Sequence, residues 1–211
     1  MKTIAKIIIK KILFVLSFKK EFREYMAPYF NKRPLNEDDA KKMARCCDLI
    51  ESLGLTYRLT DGTALGLYRN GEFIAHDDDV DIDILDPTSD DIKRIKAQFC
   101  DMKVVREVYY RGKIQQLAYY DDDSYVFDIV FWYKDGNKVL NYCERDFERT
   151  QDAKFFERNT LTKHEFLGRF YPMASDIENW LVSRYGEDWN IPKTYKGDWK
   201  EECQDIKRMT N

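Results

Sequence analysis

The residues best suited to chemistry lie in one stretch, "GTALGLYRNGEFIAHDDDVDIDILD", from Gly62 to Asp86. Five aspartates, Asp77, Asp78, Asp79, Asp81 and Asp83, fall within seven residues. Like charges at that density repel unless water, a cation or a proton relieves them. Val80, Ile82 and Ile84 alternate with Asp79, Asp81 and Asp83, which is the period of a strand with one apolar and one acidic face. Residues two apart on a strand point to the same side and stand roughly 6.6 Å apart. Asp79 and Asp81 therefore converge on one or two hard divalent ions, Mg²⁺ or Mn²⁺, whose ligands are carboxylate, phosphate and water oxygens. Asp128, alone inside the apolar run "YVFDIVFWY" (125–133), extends the pattern. A buried lone carboxylate is costly unless paired or bound to metal, and a neighbouring strand would bring it to the same ions.

A phosphate-transfer site also needs something to hold phosphate. Gly62 and Thr63 are placed to open a short helix after a strand, where glycine lets phosphate approach the backbone and free N–H groups attract anions. Thr63 adds a hydroxyl, and Arg69 is suited to bidentate contact with phosphate oxygens. An acidic run is most often a solvated face. Asp77, Asp78, Asp83 and Asp86 are therefore expected at the surface or behind the ligands, while the strict alternation sets Asp79 and Asp81 apart.

The surrounding elements must position these groups. "RPLNEDDAKKMARCCDLIESLG" predicts a helix with Asn36 as N-cap, Asp39 three residues on, a buried stripe of Met43, Cys46, Cys47, Ile50 and Leu53, and a stop at Gly54. A strand is expected over 56–60, a short helix over 62–69, a turn at Asn70-Gly71, the acidic strand, and a helix over 88–100. Strands follow near 103–110, 113–120 and 125–133. The tyrosine pairs at 109–110 and 119–120 are expected to fill strand faces. The last third reads as helical and aromatic, with a helix from Ser175 to Tyr185 ended by Gly186, and with Trp180, Trp189 and Trp199 packing there. His164 has no metal-like spacing around it and reads as a surface or satisfied residue. Helices mixed with strands of both connection types predict an α+β (mixed α/β) domain.

Composition sets the bounds. The 211 residues suffice for one domain with appended elements, and a formal net charge of -3 gives no general field for nucleic acid. Five cysteines, with Cys46 and Cys47 adjacent, form neither a disulfide framework nor a metal pair, so a reducing cytoplasm is expected. The first 20 residues carry six lysines and no acid. Their apolar run, Ile12 to Phe18, is too short to span a bilayer. A basic amphipathic helix is expected there, either peripheral on an anionic membrane or docked on the protein itself.

"GTALGLYRNGEFIAHDDDVDIDI" resembles the signature of the LicD family of phosphotransferases, which runs Gly-Thr-Leu-Leu-Gly, then Arg, then a Phe-Ile-Pro-Trp-Asp-Asp-Asp-Ile-Asp-like stretch. Gly62-Thr63, Gly66, Arg69, Phe73-Ile74 and the aspartates at 77, 78, 79 and 81 match it, and "RYGEDWNIP" (184–192) is similar to its Tyr-Gly-x-Asp-Trp element. His76 and Ala75 stand where the family has Trp and Pro, and Ala64 replaces a Leu.

The resemblance implies a nucleotidyltransferase-like mixed sheet flanked by helices, with metal held by Asp79, Asp81 and Asp128. It further implies transfer of a phosphocholine-like group from a CDP-activated donor to a sugar hydroxyl of a cell-surface glycan or glycolipid, with release of CMP. Asp79, Asp81 and Asp128 are then the catalytic residues, Asp128 being the candidate base, and Gly62, Thr63, Arg69 and His76 bind substrate. The expected organisation is an N-terminal basic segment over 1–34, a catalytic core over 35–145 and a helical part over 146–211. Two alternatives share the same carboxylates: a nucleotidyltransferase moving NMP from an NTP to a small molecule, and a non-catalytic module that binds nucleotide or a glycan enzyme.

Overall fold

The helix predicted from Asn36 forms as α1 (Glu37–Ser52). Asn36 and Asp39 make a reciprocal capping box, with the Asn36 side chain accepting from the Asp38 N–H and Asp39 Oδ2 from the Asn36 N–H. The computed structural model describes residues 33–143, 146–193 and 199–209. The expected N-terminal amphipathic helix lies outside them. No helix among the described residues is long and apolar enough to cross a membrane.

After α1 come β1 (Tyr57–Leu59), α2 (Asp61–Asn70), β2 (Val80–Leu85) and α3 (Ser89–Gln98). Then follow β3 (Lys103–Tyr110), β4 (Lys113–Tyr120) and β5 (Val126–Asp135). The last third holds β6 (Lys138–Cys143), β7 (Phe147–Asp152), β8 (Thr162–Phe166), β9 (Arg169–Met173), α4 (Ile177–Tyr185) and β10 (Ile206–Arg208). Here the structure corrects the helical expectation: α4 is present with Gly186 after it, but β7 to β10 are strands. β8 and β9 form a separate hairpin, and β7 pairs with β6 and β10. The expected boundary at 145/146 therefore falls between two strands that pair from Lys138↔Asp152 to Cys143↔Phe147.

β5 is the axis of the eight-stranded sheet. β2 runs parallel to it from Val80↔Phe127 to Leu85↔Trp132. On its other side β4 pairs with the first half, down to Gln116↔Val130, and β6 with the second, from Tyr133↔Leu140. β1 closes one end against β2, and β3 is hydrogen-bonded to β4 alone.

The two faces differ as the alternation predicts. Val80, Ile82 and Ile84 are at most 1% exposed and share the core with Phe127, Ile129 and Phe131. Phe99, just after α3, stacks on Tyr119 and Phe127 with centroids 4.7 and 5.7 Å away. Cys46 and Cys47 are buried in α1 as predicted, and burial drives the Cys46 thiol up to about 12, so neither suits nucleophilic chemistry. The opposite face carries the aspartates.

Candidate functional site

Asp81 and Asp128 are direct register partners across the parallel β2–β5 pair. Asp79 precedes the same strand, and the side chains of Asp79, Asp81 and Asp128 offer ligand oxygens within 4.8 Å of one another. Asp79 and Asp81 are half-buried and Asp128 is buried. Burial, and after it the charges of Asp79, Asp61, Asp128 and Asp77, push the Asp81 carboxyl well above its ordinary range. That is the state a divalent cation would relieve, and the hard oxygen donors suit Mg²⁺ or Mn²⁺.

The turn into α2 holds these ligands in place. Thr60 donates its N–H to the Asp81 carbonyl at 3.1 Å, and the Asp81 N–H donates to Thr63 Oγ1 at 3.0 Å. Thr63, read from sequence as a phosphate donor, is fully buried and braces the backbone of Asp81. Gly62 is closely packed: a Cβ there would lie 2.4 Å from Asp77 Oδ2, and the Asp77 side chain would have to shift. Gly66 is packed too, since its Cβ would lie 2.7 Å from the carbonyl oxygen of Glu72. Arg69 stands in the last turn of α2, and its Nε is buried without a hydrogen-bond partner among the described residues. His76 is exposed on the loop before β2.

Several residues that contact the acidic face escaped sequence reasoning. Asp128 Oδ2 accepts from Gln116 Nε2 at 2.7 Å and from Arg106 Nη1 at 3.3 Å. Their signal was faint, two polar residues in strands otherwise taken as packing. Asp83, expected at the surface or behind the ligands, is 1% exposed. Its Oδ2 accepts from Arg58 Nε and Nη2 at 2.9 and 2.8 Å, and its Oδ1 from Trp132 Nε1 at 2.7 Å. The acidic face thus sinks from solvent into the protein along β2, and its deep end is neutralised by arginine. Arg58 also donates to Gln151 Oε1 and the Phe155 carbonyl and lies over the Phe156 ring at 3.5 Å.

A second buried ionic group adjoins the first. Asp61, the first residue of α2, has φ 45 and is gripped by Arg149 Nη1 and Nη2 at 3.1 and 2.9 Å and by Arg184 Nε at 2.8 Å. Burial alone would raise its carboxyl, but the two guanidiniums hold it down to about 2. Arg184 also pairs with Asp205, next to β10. The C-terminal third is therefore tied to the residue immediately before Gly62.

Three carboxylates converge where two adjacent parallel strands of a mixed sheet meet, braced by the turn into α2, and together they could hold a cation. Residues 54–176 match the sequence profile of the family described as LicD/FKTN/FKRP, nucleotidyltransferase domain. The chain belongs to that family. It is 26% identical over 192 residues to the ribitol-5-phosphate transferase FKTN of Macaca fascicularis, covering 86% of this chain and 40% of that protein. The Homo sapiens protein of that name is 25% identical over the same shares. The chain thus spans about 40% of the length of these curated relatives. Among solved structures, the lincomycin-bound lincosamide antibiotic adenylyltransferase LnuA aligns with a TM-score of 0.48 and 16% identity, over 71% of this chain and 86% of that one.

Proposed function

We propose that this protein transfers a phospho-alcohol group from a CDP-activated alcohol to a sugar hydroxyl of a cell-surface glycan or glycolipid precursor and releases CMP. The observation that carries this reading is the convergence of Asp79, Asp81 and Asp128 from adjacent parallel strands, with ligand oxygens within 4.8 Å. Family membership and the similarity to ribitol-5-phosphate transferases support phospho-alcohol as the transferred class.

Asp79, Asp81 and Asp128 would hold Mg²⁺ or Mn²⁺, which when bound offsets charge on the diphosphate and on the departing CMP. Thr63 and Thr60 keep Asp81 in register with Asp128. Arg69 and His76 supply donors for the anionic substrate, and Gly62 leaves room for the Asp77 side chain beside the turn. Gln116 orients Asp128, which helps to deprotonate the acceptor hydroxyl. The fully buried Asp83–Arg58 pair beneath excludes water and fixes the strand floor. A cytoplasmic location, with the basic N-terminal segment on the inner membrane face, fits an acceptor assembled there.

Thermal unfolding of wild type and Asp81→Asn, with and without Mg²⁺, tests the proposal across CDP-choline, CDP-ethanolamine, CDP-ribitol, CDP-glycerol, CTP and ATP. A ligand at 100 times its dissociation constant adds about 2.7 kcal/mol. Metal-dependent stabilisation by one CDP-alcohol, lost in the variant, is the expected result. A response to triphosphates alone would replace phospho-alcohol transfer by nucleotidyl transfer. Ligand binding that is unchanged in Asp81→Asn would remove the enzyme reading and leave a binding module.

A further inference from the structure

The acidic row does not stop at β5. Asp81 is in register with Asp128, Asp128 with Ala118 on β4, and Ala118 with Arg106 on β3, so four strands contribute one line across the sheet. Arg106 owes its place in that line to a bulge. β3 pairs Val104 with Tyr119 and then Arg106 with Ala118, leaving Val105 as the extra residue. Had the Val104↔Tyr119 register continued without a bulge, Val105 would pair with Ala118 and Arg106 would oppose Leu117 on the apolar face. Ala118 is the register partner of both, its side chain is a single methyl group, and Arg106 Nη1 reaches Asp128 Oδ2 from the strand beyond.

The contact so formed differs from the fully buried ion pairs around Arg58 and Arg149. Arg58 and Asp83 are 1% and 0% exposed, and Arg149 is 3% exposed. The Arg106 side chain is 46% exposed, whereas Asp128 is 3% exposed. Arg106 reaches Asp128 through Nη1 alone, at 3.3 Å, and its other N–H groups make no hydrogen bond among the described residues. Gln116 makes the shorter bond to the same oxygen, at 2.7 Å, and can keep Asp128 oriented by itself. Arg106 is therefore partly exposed, held at the carboxylate by one long bond, and still has most of a planar donor fork to offer.

We propose that Arg106 is a diphosphate-binding residue of the site, and that in the absence of metal and substrate its guanidinium stands in for the cation at Asp128. The proposal rests on the phosphate-transfer reading above and adds a residue to it. Charge balance gives its direction. Three carboxylates and one divalent ion leave one negative charge, and the diphosphate of a CDP-alcohol adds two more. A cation at Asp128 competes with Arg106 for that carboxylate, and the released fork turns to phosphate oxygens arriving along the same row. No covalent step is assigned to it.

The test uses the whole chain as wild type, Arg106→Gln and Arg106→Lys, with two probes: Mn²⁺ alone, and inorganic pyrophosphate with saturating Mg²⁺. Both are read by calorimetry, after equal thermal midpoints show that the folds match. The two affinities are expected to move in opposite directions. Arg106→Gln binds Mn²⁺ about threefold to tenfold more tightly, because a competing charge is gone, and binds pyrophosphate at least tenfold more weakly. Arg106→Lys keeps the charge and loses the fork, so its Mn²⁺ affinity stays near wild type and its pyrophosphate affinity falls between the other two. Unchanged pyrophosphate affinity in Arg106→Gln, or weakened Mn²⁺ binding, overturns the proposal. The probes contain no alcohol, so opposite shifts here with silence toward every CDP-alcohol would overturn the donor assignment and leave Arg106 in its role.

Discussion

Replacing Asp61 by Asn deletes one charge from a buried group of two arginines and two aspartates, Arg149, Arg184, Asp61 and Asp205. Asparagine tolerates the left-handed backbone at φ 45, so the effect is electrostatic. The carboxyl lies at about 2 instead of 3.8. That difference corresponds to roughly 2 kcal/mol of net attraction. The true loss is greater, since two arginines that are 3% and 2% exposed would share one remaining acid. Breaking buried pairs in this way costs about 3–5 kcal/mol. We expect a loss of about 3 kcal/mol by urea unfolding at pH 7, or roughly 6–12 °C in midpoint for a chain of this size. The sign with pH follows. A carboxyl whose folded value is depressed contributes its stability above the unfolded value and loses it as the pH falls through the folded one. The gap between wild type and variant should therefore be full above pH 4 and close as the pH approaches 2. A loss below about 1 kcal/mol, or a gap that does not change over that window, would refute the clamp.

Two further substitutions probe the braces around the aspartates. Gly66→Ala ought to gain about 1 kcal/mol from helix propensity, yet its Cβ would meet the Glu72 carbonyl oxygen at 2.7 Å. We expect overpacking to win, with a net loss of about 1–2 kcal/mol in denaturant unfolding; an unchanged or more stable variant would disprove the close approach. Thr63→Ala strands the Asp81 N–H and should cost about 1–3 kcal/mol, whereas Thr63→Ser keeps the acceptor and stays within about 1 kcal/mol. Hydrogen exchange at the Asp81 amide is the direct readout, and equal protection in both variants would mean that Thr63 Oγ1 is not its partner.

What could be read from the sequence was what is written in local period. Val80 to Ile84 alternates cleanly, and β2 forms with Asp79 and Asp81 on one side. The strands expected at 103–110 and 113–120 occur as β3 and β4, and the capped helix from Asn36 occurs as α1. Asp128 stood out because a charge inside an apolar strand needs a reason. The residues that were missed lack such a signature. Arg58, Arg149 and Arg184 each lie amid polar or mixed neighbours, and only pairing across 25, 88 and 123 positions makes them core. β7 ("FERTQD") and β8 ("TKHEF") carry too few apolar residues to announce strands. They are held by hairpin partners and by buried ions, neither of which shows in local hydrophobicity. Arg106 depends on a bulge, a one-residue shift that no composition rule signals.

The route of the chain around β5 has an evolutionary reading. The turns at Gly112, Gly136 and Gly168 all adopt positive φ, and a Cβ at any of them would meet nothing within 4 Å. Each lies at the tip of a hairpin, whereas Asp81 and Asp128 are set by the ladder between β2 and β5. Insertions or deletions at those tips would leave the ladder, and with it the spacing of the carboxylates, untouched. The fold thus separates the part of the molecule that must keep its register from the parts free to lengthen, and descendants of such a chain can acquire new surfaces by elaborating loops around an unaltered acidic row.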